Sequence, residues 1–269
     1  MPELPEVETI RRQLNAKLKN QTIKSVRILK TGRETPHGQA FVKAVTGKKI
    51  KMIDRRAKLL IWRFTDGSSV TIHLKLTGRV ILVDKKYQPG KHDRMVFEIG
   101  PNRLIWSDMR QFGTINFLSN EALEKKLSEY GPEPLEIKSE QLAALFKSPK
   151  TRNVKSALLN QEVLAGVGNI YADEALFRSK IRPTRKLGSL TADDRLKLAK
   201  AVQEVLKQAI ELKGTSSQDY LDAYGQEGKF EKILRVYQRK GLPCKVCGTP
   251  IVRTVVAQRG THYCPHCQK

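Results

Sequence analysis

The chain has no cysteine before position 244, no apolar run of 18 residues, no internal repeat and a shortage of acids. Each absence excludes something. Four cysteines crowded at one end read as metal ligands rather than as a disulfide framework. Without a long apolar run there is no membrane-spanning helix. The first residues lack the basic and apolar regions of a signal peptide. The chain is therefore expected to be soluble and intracellular. Acids number 27 against 50 Lys and Arg, a formal net charge of +23 over 269 residues. The excess is spread along the sequence, and a globular chain this basic points to nucleic acid. A membrane surface is the competing polyanion, but no long amphipathic basic helix favours it. The hydrophobic content of 39% suffices for ordinary packed cores.

Hydrophobic spacing sets the expected organisation. Residues 3–19 read as a helix, with Leu4, Val7, Leu14 and Leu18 at helical period. From 22 to 118 short β-branched and aromatic runs follow one another. Asp66-Gly67, Pro89-Gly90 and Gly100-Pro101-Asn102 supply turns between them, a pattern that predicts a β-sandwich or barrel. Val70, Ile72 and Leu74 share one strand face and His73 the other. Gly131-Pro-Glu-Pro-Leu135 reads as a linker. Helices are predicted over 139–147, 154–159, 169–178 and 191–213, the last opened by Thr191 with Asp194 and stopped by Lys213-Gly214. A polar loop covers 215–228. The fold class is α+β and multidomain, with expected domains at 1–130, 131–228 and 229–269.

Four motifs carry chemistry. Met1-Pro2-Glu3-Leu4-Pro5-Glu6 places a proline where removal of Met1 exposes a secondary amine. An α-amino group has a reference pKa near ~8 against ~10.4 for lysine, so its nucleophilic fraction at pH 7 is roughly a hundredfold larger. Its attack on an aldehyde carbon gives an iminium electron sink, and Glu3 and Glu6 are expected beside it. Alone, the segment reads first as a proline and acids at a helix start, and the rest of the chain reverses that preference. Cys244-x2-Cys247-x16-Cys264-x2-Cys267 can hold one structural zinc; four thiolates complete the shell and leave His262 and His266 out. Residues 229–269 carry nine Lys or Arg against one acid, which suits a nucleic-acid groove. Gly166-Val-Gly-Asn-Ile-Tyr171 enters a helix whose N–H groups can meet a phosphate, with Arg152, Lys155 and Asn169 as further contacts. In Asp108-Met-Arg-Gln-Phe-Gly113 the pair Arg110 and Phe112 suits a wedge that fills the gap left by an extruded nucleotide.

Taken together these motifs resemble the bacterial formamidopyrimidine-DNA glycosylase family, in the wider group that includes endonuclease VIII. The resemblance covers essentially the whole chain and adds Arg55-Arg-Ala-Lys58, Ile72-His-Leu74, Lys91-His-Asp93 and Ala257-Gln-Arg259. It implies an N-terminal β-sandwich with a leading helix, a helix–two-turns–helix domain and a zinc-finger hairpin. It implies a bifunctional glycosylase and abasic-site lyase, a monomer acting on damaged double-stranded DNA in the bacterial cytoplasm and nucleoid. By the resemblance Pro2 attacks C1′, Glu3 is the general acid/base, and Lys58 and Arg259 assist elimination. His73, His92, Arg110, Phe112, Arg152, Lys155 and Asn169 are expected to contact DNA. Leu76 stands where the family usually has a methionine void filler; it keeps the bulk and loses the suppleness. Leu4 matches the purine-acting branch, so 8-oxoguanine and formamidopyrimidines are the expected lesions. The alternatives are an endonuclease VIII-like enzyme for oxidised pyrimidines and a noncatalytic zinc protein that binds damaged DNA.

Overall fold

The computed structural model describes residues 1–30, 38–147, 153–216 and 219–269. They form two compact units, Met1–Glu129 with Leu212–Glu231, and Tyr130–Glu211 with Lys232–Lys269.

The first unit opens on helix α1 (Leu4–Leu18). Pro5 sits in its first turn, where a missing N–H breaks no intrahelical bond, and Leu4, Val7, Ile10, Leu14 and Leu18 are all buried. There follow β1 (Ile23–Ile28), α2 (Gly38–Val45), β2 (Ile50–Arg56), β3 (Leu59–Phe64), β4 (Ser69–His73), β5 (Gly78–Val83), β6 (Asp93–Ile99), β7 (Asn102–Asp108), β8 (Thr114–Leu118) and α3 (Asn120–Leu127). The strands make two antiparallel four-stranded sheets, ordered β1-β6-β7-β5 and β2-β3-β4-β8. One core joins them to α1: Val70, Ile72 and Leu74 meet Met95, Phe97 and Trp106, and the Trp62 and Phe97 rings stand edge to face at 5.3 Å. This is the expected sandwich, with His73 turned away from the core as the alternation requires. Two helices correct the run of strands expected from 22 to 118 and its flank. In α2 the buried pair Phe41 and Val45 lies four apart, a helical spacing that β-branched composition disguises. In α3 a single buried residue, Leu123, leaves little periodicity to find.

The second unit contains α4 (Ser139–Leu145), α5 (Val154–Leu159), α6 (Asn169–Arg178), α7 (Ala192–Glu211) and the hairpin of β9 (Val252–Val256) with β10 (Arg259–Tyr263). All four helices lie where spacing placed them. At the start of α7 the Asp194 backbone N–H donates to Thr191 Oγ1 at 3.1 Å and the Thr191 N–H to Asp194 Oδ2 at 3.1 Å, the reciprocal cap read from the sequence. Gly131 is no loose linker. A Cβ there would come within 2.4 Å of the Glu162 carbonyl oxygen, so the chain passes only as glycine. By packing, Leu212–Glu231 belongs with the first unit. Among the described residues no helix is long and apolar enough to cross a membrane.

Candidate catalytic and DNA-binding site

In the first unit, the chain start is buried. Pro2 is buried and Glu3 is 2% exposed, immediately before α1. The Glu3 backbone N–H donates to Glu6 Oε2 at 2.7 Å. Glu6 Oε1 accepts from the Thr215 N–H at 2.8 Å. Glu6 thus braces Glu3 from below and ties in a second segment, a use its spacing from Glu3 did not reveal.

Lys58, nearly buried, lies in the two-residue turn joining β2 to β3, after Ala57 with φ of 53°. That turn is tied to α1. Glu8 accepts from Arg55 Nε at 3.1 Å, and Arg55 Nη1 donates to the Ala57 carbonyl at 2.9 Å. Arg11 and Arg12 also donate to Glu8, at 2.6 and 2.7 Å. Burial alone would raise the Glu8 pKa; hydrogen bonds from Arg11 and Arg12, with the charges of Arg11 and Arg55, outweigh it and hold the carboxyl below its usual range. A folded-state value below the unfolded one gives stability that is complete above the unfolded pKa, roughly 4.3, and is lost as pH falls through the folded value. Glu8→Gln is therefore expected to flatten the acid side of the stability profile. Urea midpoints for parent and variant should converge toward pH 3 and separate at pH 6, with the parent higher; parallel profiles would remove this role.

His73 is held neutral. Burial, then the charges of Lys75, Lys58 and Lys126, pull its pKa down to about 3, and its Nδ1 accepts from the Lys75 N–H at 3.0 Å. It can offer a neutral N–H and not a cation.

Three expected DNA contacts converge on one carboxylate. Leu76, half-buried, lies in the turn joining β4 to β5, and Arg110 and Phe112 lie in the turn joining β7 to β8. Asp108 Oδ1 accepts from Thr77 Oγ1 at 2.5 Å and its Oδ2 from the Gly113 N–H at 2.7 Å; Thr77 Oγ1 in turn accepts from the Arg110 N–H at 2.9 Å. The two turns are thereby locked together. The His92 carbonyl joins the same centre, accepting from the Asp108 N–H at 2.9 Å. Arg110 and Phe112 project outward, the guanidinium 5.3 Å from the ring centroid and the ring 44% exposed. An exposed aromatic braced by a cation suits insertion into a base stack. Gly113 is forced, since a Cβ there would meet the Trp106 ring at 2.6 Å. Asp108→Asn would turn an amide N–H toward the Gly113 or Arg110 N–H and strand a buried donor, costing about 1–3 kcal/mol. Thermal melts and a DNA titration should both register it; unchanged affinity would show that the wedge does not depend on this hub.

In the second unit one expectation is corrected. Lys155 is fully buried, its Nζ 2.6 Å from Asp173 Oδ1 and 2.7 Å from Thr261 Oγ1. A lysine spent on an internal ion pair cannot reach a phosphate. It braces the hairpin instead, with the His262 N–H donating to Asp173 Oδ2 at 2.9 Å. Asn169, at the start of α6, also serves the hairpin by donating to the Gly260 carbonyl at 3.0 Å. Arg259 is exposed and follows the two-residue tip Ala257-Gln258, whose φ values are 50° and 58°. Arg152 lies outside the described residues. Glu174, which sequence reasoning passed over, is a buried carboxylate accepting from the backbone N–H groups of Arg235, Val236 and Tyr237. The acid pair Asp173-Glu174, flanked by Ala172 and Ala175 in an otherwise apolar helix stretch, was its signal.

The four cysteine sulfurs lie within 4.8 Å of one another, with Cys244 to Cys267 at 3.9 Å and Cys247 to Cys264 at 3.5 Å. A tetrahedron of sulfurs about 2.3 Å from zinc has edges of about 3.8 Å, so the residues fit one structural zinc. The closed thiolate set leaves no position for a reacting water. Chelating the metal is expected to abolish DNA binding, because zinc supplies on the order of 10 kcal/mol to modules of this size. Metal release monitored alongside binding tests this; full affinity after stoichiometric release would contradict it.

Comparison with known proteins gives a consistent result. Three family models match: the formamidopyrimidine-DNA glycosylase N-terminal domain over residues 1–115, the formamidopyrimidine-DNA glycosylase H2TH domain over 130–220, and the zinc finger found in FPG and IleRS over 241–269. A formamidopyrimidine-DNA glycosylase of Carboxydothermus hydrogenoformans is 40% identical over 272 residues, covering 100% of both chains. One from Desulfitobacterium hafniense is 41% identical over 273 residues, again covering 100% of both. Among solved structures, the Lactococcus lactis Fpg in complex with DNA containing an abasic site superimposes with a TM-score of 0.91 at 34% identity over 99% of each chain.

Proposed function

Since this chain belongs to the formamidopyrimidine-DNA glycosylase family, a family of base-excision-repair DNA glycosylases, we propose that it removes 8-oxoguanine and formamidopyrimidines through a covalent link at Pro2. Removal of Met1 frees the proline nitrogen. Its lone pair attacks C1′ of the damaged nucleotide, the glycosidic bond breaks, and the base leaves with a proton. Glu3 delivers a proton to the ring oxygen as the sugar opens, leaving an iminium between Pro2 and C1′. The iminium acidifies the 2′ protons. Lys58 assists removal of one of them, and β-elimination expels the 3′ phosphate. Arg259 assists the later δ-elimination that expels the 5′ phosphate, and water frees the proline.

The observation that carries this reading is the tethering of two chemical parts to one helix. Pro2 and Glu3 open α1, and the Lys58 turn hangs from the same helix through Glu8, Arg55 and the Ala57 carbonyl. His73, His92, Arg110, Arg152 and Asn169 contact DNA, and Phe112 with Leu76 fills the void. The bound zinc holds the hairpin that bears Arg259. Residues 1–130, 131–228 and 229–269 serve as catalytic, helix–two-turns–helix and zinc-finger regions. The chain acts as a monomer in the cytoplasm, at the nucleoid. Borohydride reduction in the presence of an 8-oxoguanine duplex is the test: the reading requires a stable protein–DNA adduct of the mass of a Met-free chain. Cleavage of the duplex with no reducible adduct would overturn it.

A further inference from the structure

The second unit carries a groove that none of the chemistry above uses. It lies between the end of α6 and the first half of α7, with a volume of about 490 Å³, within the range of ligand pockets. Six basic side chains line it, Arg178, Lys180, Arg185, Lys197, Lys200 and Lys269, against two acidic ones, Asp194 and Glu204. Both acids are already engaged. Arg185 Nη2 donates to Asp194 Oδ2 at 2.7 Å, and Arg178 Nη1 to Glu204 Oε2 at 3.2 Å. Lys197 is paired with Asp193 at 2.5 Å. Lys180, Lys200 and Lys269 are exposed and make no ion pair among the described residues. The backbone fixes where two of these lysines stand. At the end of α6 the Lys180 N–H donates to the Phe177 carbonyl and the Ile181 N–H to the Leu176 carbonyl, each at 3.0 Å, and Lys180 takes a left-handed φ of 60°. Glycine is the usual residue at such a helix end, because it has no Cβ to crowd. Lys269 is strapped alongside. Its N–H donates to the Lys180 carbonyl at 3.0 Å, its carbonyl accepts from the Arg182 N–H at 2.9 Å, and Gln268 Nε2 donates to the Ile181 carbonyl at 2.9 Å.

We propose that this groove docks an acidic peptide segment of a partner protein, at a place separate from the DNA contacts. Three unpaired ammonium groups gathered in one concavity make a local field that attracts negative charge. Nucleic acid fits the groove less well. A single strand binds basic grooves by stacking its bases on aromatic rings, and no Phe, Tyr or Trp lines this one. A duplex carries one charge about every 1.7 Å of its axis, a density that meets Asp194 and Glu204 as well as the lysines. An extended peptide spaces alternate carboxylates about 7 Å apart. The apolar side chains between them can rest on Ala201 and on the aliphatic stems of Lys197 and Lys200. Position separates this groove from the phosphate contacts expected in the same unit. Asn169 opens α6 and Lys180 follows its end, so the two lie at opposite ends of a helix about 15 Å long. The inference does not depend on the reading of Pro2.

The probe is a fluorescein-labelled hexapeptide that alternates aspartate and leucine. It is titrated into the full zinc-loaded chain already saturated with a duplex containing an abasic-site analogue. Anisotropy should saturate at one peptide per chain while the duplex stays bound. Combining Lys180→Glu, Lys200→Glu and Lys269→Glu should weaken the peptide by about 10-fold or more and leave duplex affinity within about 2-fold. Lys17→Glu, Lys24→Glu and Lys51→Glu, at exposed lysines of the first unit, change the net charge equally. That control should keep peptide affinity within about 2-fold of the parent. Lys180→Gly gives a readout that misfolding cannot imitate. Glycine takes a φ of 60° without strain, so the thermal midpoint should match or exceed the parent's, while peptide affinity falls by about 3-fold. Equal losses in the two triple variants would reduce the effect to bulk attraction and overturn the inference. So would a peptide that displaces the duplex, a peptide that does not bind, or unchanged peptide affinity in either groove variant. A short undamaged duplex and inorganic phosphate are titrated in parallel. Either one binding the saturated chain more tightly than the peptide, and losing affinity in the groove triple, would make the groove a phosphate surface and overturn the inference as well.

Discussion

A chain that keeps Met1 should bind damaged DNA and form no borohydride-reducible adduct. Retention converts the Pro2 nitrogen from an amine into an amide, whose lone pair is delocalised into the carbonyl. No lysine replaces it well: a lysine with a reference pKa near ~10.4 offers roughly a hundredth of the free amine of an α-amino group at pH 7. Lys58, the nearest candidate in role, is confined to a turn that Glu8 and Arg55 hold in place. Loss of a covalent nucleophile commonly costs on the order of a thousandfold or more. Binding should persist, because Arg110, Phe112 and the Asp108 hub are untouched. The measurement is a paired gel and intact-mass assay on fully trimmed chain and on chain with Met1 blocked from removal. An adduct of undiminished yield in the blocked chain would place the nucleophile elsewhere.

Glu3→Gln should separate the two halves of the reaction. Glutamine keeps the size of the side chain, and the Glu3 backbone N–H remains free to donate to Glu6. What disappears is the proton. Base release, which needs acid assistance as the sugar opens, is expected to fall by about 100- to 10,000-fold. A preformed abasic sugar is already in equilibrium with its open aldehyde, so Pro2 can still attack it and the trapped adduct should remain. Burial adds to the expectation, because Glu3 is 2% exposed and solvent water has little access to substitute for it. Single-turnover excision beside abasic-site trapping reads both steps. Equal loss in the two assays would show that Glu3 supports the fold of the chain start instead of moving a proton.

How far the residues foretold this arrangement depends on the range of the interactions involved. The helices at 154–159 and 169–178, the reciprocal cap at Thr191, the strand alternation around His73 and the four-cysteine spacing were all readable. Each is a pattern within a few residues, set by helical period, sheet alternation or knuckle geometry. Lys155 was misread because its partners, Asp173 and Thr261, lie 18 and 106 positions away. A lysine near a glycine-rich helix start looks like a phosphate ligand until the fold places a carboxylate beside it.

The sequence by itself determined the kinds of side chain present: a proline at position 2 beside an acid, four cysteines spaced for a zinc, a cation and an aromatic two apart, and a strong excess of basic residues. Those follow from covalent identity and short-range spacing. Only the tertiary structure decided which groups serve that chemistry and which are consumed in holding it together. It turned Glu6 and Gln13 into anchors for a segment some 209 positions away, made Asp108 the lock between two turns, and buried Lys155. The reason is that a side chain's protonation and reach depend on what the folded chain brings against it, and contacts across such distances leave no local period to read.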